Sequence, residues 1–311
     1  MKIAAWLGCK DEAELIGHTI AHLRGIGVDH IYAVDVKSTD GTLDILQAEA
    51  GRGDLEVLTI DVEADGPDVE HRVAEEVMSR AKARGMDWLL FCDADEFWLP
   101  RGGHLRDMAG LAGADVIKAT RYNVMLTDDG PALRLPVTPD SLDDLLVHCP
   151  PPAGKGGWRR VLAEDPAMAW IRVVPNPKLM IRLDGVAAVQ AGHHAVQAED
   201  DRPEPVTVTA RDTVIAHVPF STVERFRLKV RNIIELHEAT GQPWPDGQAW
   251  HWRMFRDGAA EAGVEAEFAR NITPPDQQDA LRADGLLRSI DEILAGWAAE
   301  DAEADSGDQT R

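Results

Sequence analysis

The chain has only three cysteines in 311 residues, Cys9, Cys92 and Cys149. An odd number without paired spacing excludes a disulfide framework, and the lack of C-x-x-C excludes that class of zinc site. Cys9 and Cys92 each end an apolar run, which predicts buried thiols in a reducing cytoplasm. No segment reaches ~18 uncharged apolar residues, so no transmembrane helix is expected. The opening MKIAAWLGCKDE is too short for a signal segment with its cleavage site. Basic residues are scarce too: 32 Lys and Arg stand against 54 Asp and Glu, a formal charge of −22. That balance argues against a nucleic-acid partner and against adhesion to an anionic membrane surface. No internal repeat is present.

What is present is an alternation of short apolar runs and amphipathic segments over the first 120 residues. KIAAWLG, HIYAVDV, LEVLTIDV and DWLLFCD read as strands. Between them, residues 12–26 place Leu15, Ile16, Ile20, Leu23 and Ile26 near one helical face. Near-continuous apolar strands separated by helices predict an α/β fold, a mostly parallel sheet flanked by helices. Residues 1–122 form its first half. Nine of the 18 prolines fall between Pro131 and Pro177, so residues 123–220 are expected to be irregular and β-rich. There, AMAWIRVVPNPKLMIRL, GVAAVQAGHHAV and VTVTARDTVIAHV read as strands. A helical C-terminal region follows over 221–299, opened by Ser221 and Glu224 as a capping box. The acidic residues 300–311 read as a disordered tail.

Chemistry concentrates in WLLFCDADEFW (Trp88–Trp98), where an apolar strand ends in Asp93, Asp95 and Glu96. Carboxylates at such depth are costly unless something positive meets them. In extended chain, side chains two apart share a face with Cα atoms ~6.6 Å apart. Asp93-Ala94-Asp95 therefore suits a hard divalent ion, Mg²⁺ or Mn²⁺, that keeps positions open for phosphate oxygens. A bare D-x-D is more often a solvated turn; the flanking Phe91, Phe97 and Trp98 favour a site. In open sheets of this kind, ligands bind beyond the carboxyl ends of the strands. Asp35 and Glu12 stand at the same end.

CKDEAELIGHTIAHLRGIGVDHIYAVDVKSTDGT resembles the opening of the family 2-like glycosyltransferases of GT-A (Rossmann-like) fold. The matching residues are Lys10-Asp11-Glu12, then Asp35 with Ser38-Thr39-Asp40-Gly41-Thr42. WLLFCDADEFWLP is similar to the D-x-D-E-F segment of the bacterial branch. KLMIRLDGVAAVQAGHHAV and IAHVPFSTVERFRLKV resemble its later segments, so the likeness runs from residue 3 to about 232. Asp11 departs from the family's usual Asn, and Val36-Lys37 from its polar or small turn residues.

The resemblance implies an inverting, metal-dependent transfer of a sugar from a nucleotide-sugar donor to an unknown glycan, lipid or small-molecule acceptor. Asp35 would meet base or ribose, Glu12 would support that pocket, and Asp93 would face the ribose or the metal. Asp95 would hold the metal, with His217 as a late metal or diphosphate contact. Lys178, Arg182, Arg225 and Lys229 would supply positive charge. Of His193 and His194, adjacent on a strand, one would enter the site, with His194 favoured. A general base must deprotonate the acceptor hydroxyl; Glu96 and Asp184 are its candidates. Acceptor selection would fall in 123–177. Trp158, Trp170, Trp244, Trp250 and Trp252 could stack on sugars, though core packing is the commoner role. Two other readings stand. One is a non-catalytic nucleotide-sugar binder. The other is a magnesium phosphohydrolase of D-x-D-x-T type, disfavoured because Phe97 occupies the Thr position.

Overall fold

In the computed structural model, which describes residues 1–66, 68–155, 157–165, 168–190, 192–196, 203–240 and 250–308, the first half alternates as the apolar pattern predicts. β1 (Ile3–Cys9), α1 (Ile16–Gly25), β2 (His30–Asp35), α2 (Thr42–Ala50) and β3 (Leu55–Thr59) are followed by a short α3 (Val62–Asp65), α4 (Val69–Ala83) and β4 (Trp88–Asp93). Then come β5 (Glu96–Pro100), β6 (Val116–Asn123), the short β7 (Leu126–Thr127) and β8 (Gly130–Pro131), and β9 (Leu146–His148). After α5 (Gly157–Glu164) the chain returns through β10 (Lys178–Arg182) and β11 (Thr207–His217). The C-terminal region holds α6 (Val223–Thr240), α7 (Trp250–Ala262), α8 (Val264–Ala269), α9 (Pro275–Ala283), β12 (Leu287–Ser289) and α10 (Ile290–Asp308).

Eight strands form one mixed sheet in the order β3-β2-β1-β4-β10-β6-β11-β5. β1 shows why it is covered on both faces. Ile3, Ala5, Leu7 and Cys9 point into a core with Ile16, Ile20 and Leu23 of α1. Ala4 and Trp6 point the other way, against Val69, Val77, Met78 and Ala81 of α4. Alternation at period two delivers both faces from one apolar run.

Two registers create the functional end. Cys9 pairs with Asp35 and Gly8 with Asp93, so the carboxyl ends of β1, β2 and β4 are level. β10 is antiparallel to β4, pairing Met180 with Leu90 and Arg182 with Trp88. Lys178 therefore enters the sheet at that level, and Arg182 leaves it at the opposite edge. β11 runs parallel to β6 and ends with His217 beside Asn123.

Several expectations change. Among the described residues of AMAWIRVVPNPKLMIRL only Lys178–Arg182 is a strand, and Trp170–Arg172 is a 3-10 turn. The described residues of GVAAVQAGHHAV make turns with a single bridge, Val189 to Val196. Thr222, not Ser221, caps α6: its Oγ1 accepts from Arg225 N at 3.2 Å, whereas Ser221 Oγ donates to Glu14. α10 continues through the segment expected as a disordered tail as far as Asp308, and Arg211 pairs with Glu300 and Asp301 there. Residues 309–311 lie outside the described residues. Among the described residues, no helix is long and apolar enough to cross a membrane.

Candidate active site

A cleft of about 1320 Å³ opens at the carboxyl ends of β1, β2 and β4. Its centre is the turn Asp93-Ala94-Asp95. The strand ends at Asp93, so the alternation that would aim both carboxylates alike is lost, and each meets different cations. Both line the cleft.

Asp93 Oδ2 lies 2.7 Å from Lys178 Nζ and 4.0 Å from Arg121 Nη1. Burial opposes its ionisation, but Lys178 and Arg121 prevail and hold the carboxyl below its ordinary value. Beneath it Glu96, fully buried, accepts from Asp93 N at 2.9 Å and pairs with Arg121. Lys178 Nζ stands 3.9 Å from Glu96 Oε2, the oxygen that accepts from Asp93 N. Burial, partly offset by Lys178, pushes the Glu96 carboxyl up to about 7.

Asp95 is clasped by α6. Lys229 pairs with it, Arg225 Nη2 approaches to 3.2 Å, and His217 Nε2 stands at 3.6 Å. Burial again opposes ionisation; Lys229, then His217 and Arg225, outweigh it and hold Asp95 well below the usual carboxylate range. The same two cations grip Glu12, Lys229 Nζ at 3.2 Å and Arg225 Nη2 at 2.7 Å.

His217 has a defined tautomer. Asn123 Nδ2 donates to Ile171 O and Val173 O at 3.1 and 3.0 Å, which leaves Asn123 Oδ1 facing His217 Nδ1 at 2.7 Å. An amide oxygen only accepts, so Nδ1 carries the hydrogen. Burial pushes the His217 ring down to about 4 against the pull of Asp95, so near neutrality it is uncharged. Its Nε2 lone pair then faces the Asp95 carboxylate, two acceptors turned to one point. That donor set fits a divalent cation. Among the described residues no three His, Cys, Asp or Glu are grouped to hold a metal. Oxygens of a bound phosphate would have to complete such a sphere, as magnesium sites commonly require.

Other expected site residues fall elsewhere. Asp35 is buried with its carboxylate turned onto Ser38 N (3.2 Å), so it shapes the 36–40 turn and does not line the cleft. Arg182 is removed from the site: its guanidinium lies 4.7 Å from the Trp88 ring centroid and donates to Leu111 O and Ala114 O. Asp184 follows it at that far edge, exposed, because β10 runs antiparallel. Glu96 is sealed behind Asp93, out of reach of an acceptor. The rule that one of two adjacent histidines enters the site fails because this segment is a turn and His193 has φ 58°. Both line the cleft. The His193 ring stacks on Phe91 at 4.4 Å, and His194 Nδ1 lies 2.9 Å from Pro177 O. Burial lowers the first to about 3 and the second to about 4.

Trp158 and Trp170 line the cleft, and Trp170 also packs edge-on to Phe220 and Phe255. Trp244 and the side chains of Trp250 and Trp252 lie outside the described residues. Arg121, Asn123 and Asn232 were not anticipated. The first two carried a signal: they continue the face of β6 that begins with buried Ile117 and Ala119, where polar residues imply partners. Asp11, Lys37 and His193 all have positive φ without being glycine, and such outliers cluster at functional sites.

No family model matches the chain, and no curated protein matches it. Among solved structures it is similar to S. aureus TarS 1-349, with 15% identity over 86% of this chain and 71% of that one, at a TM-score of 0.38. It is also similar to TarS 1-349 in complex with UDP, with 15% identity over 89% and 77% and a TM-score of 0.34. A third is glucosyl-3-phosphoglycerate synthase from Mycobacterium tuberculosis in complex with Mn²⁺, UDP and phosphoglyceric acid, with 15% identity over 79% and 80% and a TM-score of 0.35. Likenesses of this strength carry no argument by themselves. In the cleft, Lys178, Arg121, Lys229 and Arg225 interlock with Asp93, Asp95, Glu12 and Glu96.

Proposed function

We propose that the chain is a glycosyltransferase of GT-A fold that moves a sugar from a nucleotide-sugar donor to an acceptor hydroxyl, with inversion and with a divalent cation. One observation carries this reading: the cations Lys178, Arg121 and Lys229 converge, with the neutral His217 ring beside them, on the Asp93–Asp95 turn at the carboxyl ends of the central strands. A diphosphate entering there meets Lys178, Arg121 and Lys229, cations now paired with Asp93, Glu96, Asp95 and Glu12 and able to turn part of that charge to a ligand. The cleft exceeds the usual ~300–1,000 Å³ of a small-molecule site, leaving room for an acceptor beside the donor.

In this reading Asp95 and His217 would hold the cation, Mn²⁺ or Mg²⁺, and Asn123 fixes the His217 tautomer that leaves Nε2 free to ligate. When bound, the ion stabilises the charge that develops on the departing diphosphate. Lys229 exchanges part of its hold on Asp95 for a phosphate oxygen. Lys178 and Arg121 keep Asp93 ionised at the cleft wall, where it can accept from a ligand hydroxyl. The wall formed by α5 and residues 170–176 receives the acceptor.

The test is a thermal-shift screen of UDP, GDP, CDP and ADP with and without Mn²⁺, followed by transfer or hydrolysis of the matching nucleotide sugars. A native-state ligand stabilises by RT ln(1 + [L]/Kd), so a Mn²⁺-dependent rise with one nucleotide is expected. No shift with any of them overturns the proposal. Binding without transfer or hydrolysis favours a non-catalytic binder.

A further inference from the structure

Asn232 lines the cleft from α6, one turn beyond Lys229, and is 7% exposed. Its Nδ2 donates to Asp11 Oδ2 at 2.7 Å. Its Oδ1 is buried and has no hydrogen-bond partner among the described residues. The amide cannot be reversed, because an ionised carboxylate accepts only and must meet the NH₂ end. Asp11 is itself fixed in place. Thr39 donates to Asp11 Oδ1 through both its backbone N and its hydroxyl, and Asp11 N donates to Ser38 Oγ at 2.8 Å. The carbonyl of Asn232 is thus held as an acceptor without a donor, a state native interiors rarely leave unanswered.

What belongs opposite it follows from the course of α6. Arg225 and Lys229, earlier in the helix, hold Asp95 and Glu12. Asn232 holds Asp11, and α6 also packs against α3. The helix therefore passes from the diphosphate end of the cleft towards the end lined by Val36, Ile60, Val62 and Val69. Those apolar side chains suit the face of a base, with Lys37, Asp61, Glu63 and Glu70 of the same segments at its edges, and the sugar joining base to phosphate then lies below Asn232.

We propose that Asn232 Oδ1 accepts a hydrogen bond from a ribose hydroxyl of the donor nucleotide, and that Asp11 sets the polarity of this contact. The inference rests on the nucleotide-sugar reading. It gives a reason for an acid at position 11. An Asn there could present either end of its amide, and Asn232 could turn its NH₂ into the cleft.

The experiment is calorimetric titration of the full chain, with Mn²⁺ present, by UDP and GDP and by their 2′-deoxy and 3′-deoxy forms. The parent is expected to bind one deoxy form about tenfold more weakly than the ribonucleotide. In Asn232→Ala that ratio should collapse to about one, chiefly through loss of ribonucleotide affinity. Asp11→Asn should narrow the same ratio with melting temperature near the parent's, and it serves alone if the Asn232 variant does not fold. A purely structural Asn232 would weaken all forms alike and keep the ratio, which overturns the inference. Equal binding of ribo and deoxy forms by the parent also overturns it. If the parent binds no nucleoside diphosphate, the donor reading fails first and this inference goes with it.

Discussion

His217 turns Nε2 towards Asp95 Oδ2 at 3.6 Å, and neither atom brings a proton to the contact near neutral pH. The arrangement depends on Asn123, which holds the opposite ring nitrogen and is itself anchored by two carbonyls of the 171–173 segment.

Replacing that anchor should therefore be felt at the metal before anywhere else. Asn123→Leu is expected to weaken Mn²⁺-dependent nucleotide binding about 10- to 100-fold, the usual effect of losing a partner behind a ligating histidine. Metal-free nucleotide binding should change little. Titrations with and without Mn²⁺ read both, and equal losses in the two would reject the role given to Asn123.

Asp95→Ala should destabilise the fold as well as abolish metal-dependent binding. A bare acid cluster would gain from losing a charge, but Asp95 is buried among Lys229, Arg225 and His217. Removing it leaves the buried Arg225 and the half-buried Lys229 to Glu12 alone, a change that costs roughly 3 kcal/mol. Urea unfolding of parent and variant measures this, and an unchanged or raised midpoint would contradict it.

Glu96 gives the stability a pH signature. Its folded pKa, about 7, lies above the ordinary value of 4.5, so between these values the native state binds more protons than the unfolded state. The contribution of this group is full below pH 4.5, falls as pH rises towards 7, and is flat above. The stability of the parent relative to Glu96→Gln should decline over that window. A parallel pair of pH profiles would show that folding leaves the ionisation of Glu96 unchanged.

Lys178 and Arg182 sit four residues apart on β10 and should behave oppositely. Lys178→Met should weaken nucleoside diphosphate binding severalfold or more, since it also leaves Asp93 with only a distant Arg121. Arg182→Met should leave binding intact and cost about 1–2 kcal/mol through loss of its contacts with Trp88 and two carbonyls. Reversed results would mean that the strand runs the other way.

The β-α-β-α half was legible because its signals are local. The apolar runs of β1, β2 and β4 and the helical spacing of α1 determine which faces are buried whatever lies elsewhere. A carboxylate ending such a run must emerge at the carboxyl edge, and Asp93 does so. Thr222 taking the cap from Ser221, and α10 running on through an acidic segment, show the limits of local signals: Glu14 and Arg211, far off in sequence, altered both outcomes.

By itself, then, the sequence determined the layers of the first half and the carboxyl edge of the sheet at which Glu12, Asp93 and Asp95 emerge, while His217 was expected there from the family resemblance. Only the tertiary structure decided what each does. No local pattern states whether a strand runs parallel or antiparallel, because the path of the preceding chain sets that, and it is the antiparallel course of β10 that brings Lys178 in and carries Arg182 and Asp184 away. The same holds for the polar contacts. Asn123 and His217 are 94 positions apart and Asp11 and Asn232 are 221 apart. Hydrogen-bond polarity is a property of the pair, so neither residue reveals it alone.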